Sequence, residues 1–201
     1  MTTDRVSAIV LAGGRSSRFG RDKLAEPLDG RPLLDHAIDA VRPFATEILV
    51  VVAPSGRSAV PSGVRVVLDE TAFEGPLAGL HAGLAEATGE IVLVTAGDMP
   101  QLVPAVAEAM LARLDPADVD AVVLSSGGQP RPLPMLVRRE PAAKAASRLI
   151  ESGERRLRSL VDGLGATVID EPVWRAFDPD GRTTCDIDTP EDLRRMARHR
   201  D

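Results

Sequence analysis

Five short apolar runs rich in β-branched residues recur along this chain, each pair far enough apart to hold a helix, and that alternation leaves few folds open. They are 6–11 (VSAIVL), 47–53 (EILVVVA), 64–68 (VRVVL), 90–95 (EIVLVT) and 119–124 (VDAVVL). Each has the length of a strand, and the first is almost wholly apolar, as expected of a strand covered on both faces. Helical periods lie between them. Residues 32–41 carry Pro at the expected first helical position and an apolar stripe of Leu33, Leu34, Ala37, Ile38 and Val41. The small-residue stretch 77–87 (LAGLHAGLAEA) opens after Gly75-Pro76, and 104–114 continues the pattern. Strands alternating with helices through short connections predict right-handed βαβ units in an α/β, doubly wound, mostly parallel sheet with helices on both faces.

With 201 residues the chain suits one domain, spanning 1–201. The segment 125–140 breaks the rhythm. It is rich in Gly and Pro and then turns apolar, so it reads as a loop feeding an edge strand or arm. Helices are expected at about 141–151 and 154–163, and a strand at 166–169. A last helix should start after Thr189, with Pro190 at N1 and Glu191-Asp192 in its first turn.

Composition narrows the function classes. Aromatics make up 2% of the chain and the net charge is −6. That disfavours the stacking platforms and basic footprint of a nucleic-acid binder. The single cysteine, Cys185, allows no intrachain disulfide framework. Neither a signal peptide nor a membrane-length apolar run is read, so a cytoplasmic protein without membrane contact is expected.

Against that acidic background, the residues after the first strand stand out. Leu11-Ala12-Gly13-Gly14 lead into Ser16 and Ser17, with Arg15, Arg18, Arg21 and Lys23 close behind. Such a loop at the carboxyl end of a parallel strand suits a polyphosphate. It is neither a P-loop nor a GxGxxG fingerprint, and the missing fingerprint argues against a dehydrogenase reading. Acidic residues mark other strand ends. Asp98, in Gly97-Asp98-Met99-Pro100, sits where open α/β sheets bind ligands, and its carboxylate can hold Mg²⁺ or cap a turn. Asp69-Glu70 poses the same choice. In Asp186-Ile187-Asp188 both carboxylates can share one face of an extended stretch, and Asp188 can be a second metal ligand or a cap for the final helix.

Taken together, LAGGRSSRFGRDK, GPLAGL (75–80), GDMP (97–100) and DIDTPEDL (186–193) resemble the MobA-like nucleotidyltransferases. The likeness is strongest to their molybdenum cofactor guanylyltransferase branch and covers nearly the whole chain. It implies a Rossmann-like sheet and transfer of GMP from GTP to the phosphate of molybdopterin, with Mg²⁺ as cofactor and pyrophosphate leaving. By that resemblance Leu11, Ala12, Gly13 and Gly14 hold the base and ribose. Arg18 and Lys23 neutralise the triphosphate, and Asp98 binds the metal with Asp188. Asp69, Gly75, Pro76, Leu77 and Gly79 complete the nucleotide site. The stretch 131–139 is implied to lie on the acceptor side, with Arg138 and Asp186 the residues expected there, and transient contact with molybdenum enzymes or chaperones is implied. Asp186 and Asp188 stand where the guanylyl branch often has asparagines; related cytidylyltransferases have aspartates, so CTP stays open as the donor. Other expectations weighed are nucleotidyl transfer to a different phosphorylated acceptor and a nucleotide-binding accessory protein without turnover.

Overall fold

The computed structural model describes residues 6–13, 22–54, 60–69, 75–114 and 118–198. Seven strands form one sheet: β1 (Val6–Leu11), β4 (Glu47–Val52), β5 (Arg65–Leu68), β6 (Ile91–Ala96), β7 (Ala121–Ser126), β8 (Gln129–Arg138) and β9 (Thr167–Ile169). Two further short strands, β2 (Pro27–Leu28) and β3 (Arg31–Pro32), pair as a small hairpin. The order across the sheet is β5-β4-β1-β6-β8-β7-β9, parallel except for β8.

Strand alternation divides the core in two. Ala8 and Val10 of β1, Ile48, Val50 and Val52 of β4, and Leu93 of β6 point to one face. There they meet the apolar stripes of α1 (Leu33–Val41) and α3 (Pro104–Leu114). Ile9, Leu49, Val51, Val92 and Val94 point to the other, under α2 (Pro76–Glu86), α4 (Arg139–Glu151) and α5 (Leu157–Gly163). The doubly wound expectation therefore follows from period 2 in the strands and period 3.6 in the helices. Helix α2 reads as weakly amphipathic because glycines replace part of its stripe. A Cβ at Gly83 would come within 2.9 Å of Ile9 Cδ1, so the missing side chain is what lets the helix lie close on β1.

Three departures from the sequence reading have plain causes. Helix α1 begins at Leu33, because Pro32 is extended and pairs with Pro27 in the small hairpin. The segment expected as an edge strand, β8, instead lies between β6 and β7 as the antiparallel strand. Its prolines explain the misleading signal. Pro130, Pro132 and Pro134 lie in or before the bulge that interrupts the β7 ladder, where β8 does not pair with β6. Only the proline-free part, Met135 to Arg138, is bonded on both sides, since proline has no N–H to give a central ladder. Finally, a short helix α6 (Glu171–Arg175), absent from the sequence reading, tucks the fully buried Trp174 under the sheet edge. Its indole Nε1 donates to Ser125 O at 2.8 Å.

The last helix, α7 (Pro190–Arg198), starts as expected. Asp192 N donates to Thr189 Oγ1 and Thr189 N donates back to Asp192 Oδ2, a reciprocal capping box. None of the helices among the described residues is long and apolar enough to cross a membrane.

Candidate active site

The chain runs from β1 through α1 to β4 on one side, and returns through α2 to β6 on the other. The connections after β1 and β6 therefore lead in opposite directions along the sheet, toward β4 and toward β7, and a crevice opens at their carboxyl ends. Gly97 N donates to Leu11 O, and Ala12 N donates to Val51 O, so main chain from three strands lines its floor.

Lys23 heads a single 3₁₀ turn, Lys23–Ala25, whose start is held by Asp22 Oδ1 accepting from Leu24 N. Leu24 is buried over the end of β6, where a Cβ on Gly97 would lie 3.1 Å from both of its methyl carbons. Gly97 thus makes the room that lets this turn settle. From it the Lys23 ammonium donates to Asp98 Oδ2, to Asp188 Oδ1 at 3.2 Å and to Ile187 O at 3.3 Å. Burial opposes charge on this amine, but the bonds and fields of Asp98 and then Asp188 outweigh it and hold its pKa above the ordinary lysine value. Lys23 is therefore a fixed cation at neutral pH.

Asp188 reaches this point by a main-chain route. Ile187 N donates to Asp98 O, and the fully buried Ile187 side chain packs with Leu28, Leu33 and Met196. The apolar face of α7 and the small hairpin thereby tie the C-terminal motif to the crevice. Upstream, the buried Asp178 accepts from Arg182 N and Thr183 N, and Thr183 Oγ1 accepts from Val103 N. This holds the approach to the motif on the segment after β6.

The nucleotide-side residues divide. Leu11, Gly79 and Asp69 converge: a Cβ on Gly79 would lie 3.4 Å from Asp69 Oδ2 and 3.9 Å from Leu11 Cδ2. Ala12 and Gly13 follow directly from β1 into the crevice. Gly75 and Pro76 start α2, and two features of this corner have a packing reason. Gly75 has φ 101°, and a Cβ there would come 2.9 Å from Arg155 O. Leu77 is fully buried, and its N–H donates to that same carbonyl. Gly14 and Arg18 lie outside the described residues.

On the acceptor side, the structure separates the two expected residues. Ile187 is buried, so Asp186 and Asp188 both project away from it, yet they go to different cations. Asp188 joins Lys23, whereas Asp186 Oδ2 faces Arg131 Nη2 at 3.7 Å. Arg138 is not brought to this cluster. It pairs with Ile91 at the amino end of β6, and its guanidinium donates to Val119 O and Leu114 O. The β8 arginine at the crevice end is Arg131, opposite Leu124. Sequence reasoning placed the segment 131–139 on the acceptor side but chose its far end, because an antiparallel strand reverses which of its ends meets the site.

Comparison with known proteins bears on the family and the fold. Residues 8–168 match the model of the MobA-like NTP transferase domain. A Chloroflexus aggregans protein named probable molybdenum cofactor guanylyltransferase is 36% identical over 196 residues, covering 94% of this chain and 92% of the relative. The Shewanella halifaxensis molybdenum cofactor guanylyltransferase is 33% identical over 158 residues, covering 77% of this chain and 78% of its own. The crystal structure of molybdopterin-guanine dinucleotide biosynthesis protein A from Archaeoglobus fulgidus superposes with a TM-score of 0.79 at 26% identity, over 96% of this chain and 97% of that one. With its sheet order and its Lys23–Asp98–Asp188 cluster, this chain belongs to the MobA-like NTP transferase family.

Proposed function

We propose that this protein transfers GMP from GTP to the terminal phosphate of molybdopterin and releases pyrophosphate. The observation that carries the reading is the convergence of Lys23, Asp98 and Asp188 at the sheet's switch point, in a chain whose relatives are named for this guanylyl transfer. An oxygen of the acceptor phosphate attacks the α-phosphorus of the nucleotide. The new P–O bond forms as the bond from the α-phosphorus to the bridging oxygen breaks, and the electron pair leaves with pyrophosphate. The nucleophile is already an anion, so no side chain need remove a proton. What the protein supplies is placement and positive charge where negative charge builds up.

Lys23 serves that role as a permanent cation rather than as a base, since its partners hold its pKa high. Asp98 and Asp188 both meet the Lys23 ammonium and so bring their carboxylates close together, a hard-oxygen pair that fits Mg²⁺ beside the amine. Bound there, Mg²⁺ would neutralise phosphate charge and act as a Lewis acid. Two carboxylates suffice, because this ion takes its remaining ligands from phosphate and water. Asp69, Leu11 and Gly79 form the wall against which the nucleoside would rest, and Ala12 and Gly13 offer it main chain at close approach.

The deciding test is pyrophosphate release by the purified protein with molybdopterin and each of GTP, CTP, ATP and UTP. Preference for GTP supports the reading. Preference for CTP moves the protein to cytidylyl transfer, in keeping with aspartates at 186 and 188. Failure of every nucleotide with this acceptor overturns the molybdopterin assignment.

A further inference from the structure

We propose that Arg131 is the acceptor's anion contact: its guanidinium receives the phosphomonoester that attacks the nucleotide, and Asp186 holds it ready. This deepens the reading above and rests on it for the identity of the acceptor.

The first argument is placement. Asp186 and Asp188 are two residues apart, so their Cα atoms lie at most about 7 Å from one another. One carboxylate pairs with Lys23 and the other with Arg131. The segment between them therefore sets two cations side by side at the mouth of the crevice. Lys23 stands over the end of β6, where the triphosphate is expected, and Arg131 stands on the β8 side. An in-line transfer needs its attacking and leaving oxygens on opposite sides of the α-phosphorus. A second cation displaced toward β8 suits the attacking phosphate.

The second argument is that Arg131 is only lightly engaged. Its guanidinium carries five N–H donors. Among the described residues its partners are Thr184 O, 3.4 Å from Nη2, and Asp186 Oδ2, 3.7 Å from Nη2. Nε and Nη1 keep their donors for another acceptor. The pair is well exposed, at 38% for Arg131 and 49% for Asp186, and such a pair contributes little to stability. A phosphate presents more charge and can accept two parallel N–H bonds, which makes it the stronger partner. The contrast with Arg138 is instructive, since that guanidinium is turned onto two main-chain carbonyls at the far end of the sheet.

The third argument is stiffness. Arg131 stands between Pro130 and Pro132, whose rings set their own φ. It also lies across from Leu124 in the β7 ladder. Its Cα is thus held by a rigid strand, while a flexible side chain meets the ligand.

Steady-state kinetics on the full chain test the proposal through Arg131→Ala. Losing a charge-assisted contact should raise the acceptor KM by roughly 10- to 100-fold. Equilibrium affinity for the nucleotide, measured without acceptor, should stay within twofold. Arg131→Gln removes the charge while keeping a polar side chain on the strand, and should show the same split if the alanine variant does not fold. A merely structural residue would shift nucleotide affinity along with acceptor KM, and that result overturns the proposal. So does an unchanged acceptor KM. A second arm does not depend on the pterin: phenyl phosphate, a plain phosphomonoester, is titrated against the nucleotide-free protein. Binding weakened at least tenfold by the substitution supports the site, and equal affinity overturns it. If the wild type proves inert with molybdopterin, the acceptor named above falls and the phenyl phosphate arm alone decides on Arg131.

Discussion

The two ends of the sheet use the same kinds of side chain to opposite effect. At the amino end, Glu47 Oε1 accepts from Ser7 Oγ, Thr88 N and Thr88 Oγ1, while Oε2 takes Arg65. Ser7 Oγ in turn accepts from Gly89 N, and Arg139 Nε donates to Gly89 O. Nearly every donor meets an acceptor on the main chain or on a neighbouring strand, and the charge is locked in place. At the carboxyl end, Lys23 is shared among two carboxylates and a carbonyl, and Arg131 is held by contacts of 3.4 and 3.7 Å. Polar groups that are closed on short, geometrically good bonds are structure. Arg131, held by longer contacts in a crevice, can change partners when a ligand arrives.

The comparison can be broken most sharply at Asp98. Asp98→Asn and Lys23→Ala should each lower turnover by about 100-fold or more, with melting curves close to wild type, because each removes charge that acts on the transition state. Pyrophosphate release against nucleotide affinity checks this. An affinity loss equal to the turnover loss would mean that the site only binds.

At the other end, Glu47→Gln should cost stability rather than turnover. Burial works against this carboxylate, but bonds from Ser7, Thr88 and Arg65 outweigh it and lower its pKa to about 2. A lowered folded-state pKa stabilises the fold above the unfolded value of about 4.5, and that contribution is lost as pH falls from there toward 2. The substitution should cost on the order of 2 kcal/mol at neutral pH and flatten the acid limb of a urea-melt series. An acid limb as steep as in the wild type would count against this account.

Smaller effects should follow where packing supports the site. Gly97→Ala crowds Leu24 and should cost about 1–3 kcal/mol, with turnover falling as the Lys23 turn shifts. Arg138→Ala should be mildest, at about 1 kcal/mol, with the acceptor KM unchanged. A raised acceptor KM in that variant would return Arg138 to the acceptor side and weaken the case for Arg131.

Much of this was legible beforehand where the signal is local. The apolar runs 6–11 and 47–53 and the stripe of α1 encode strands and a helix through their periods, so the two-faced core follows. Asp98 announced itself by standing just past a strand, and the Thr189 cap by its spacing to Asp192. Less legible was anything that depends on pairing between distant segments. Three prolines gave β8 the look of an edge strand, although its last four residues have the composition of an interior one. Gly75 and Leu77 sit in a motif that resembles a nucleotide loop, yet their neighbour is the Arg155 carbonyl far along the chain.

The sequence by itself thus determined the α/β class, the order of the motifs and the charged residues available to the site, because each depends on residue type and short-range spacing. The tertiary structure alone decided which carboxylate meets which cation. Asp186 and Asp188 are chemically identical and two residues apart. One hydrogen bond from Ile187 to Asp98, the burial of the Ile187 side chain and the reversed direction of β8 send the first to Arg131 and the second to Lys23.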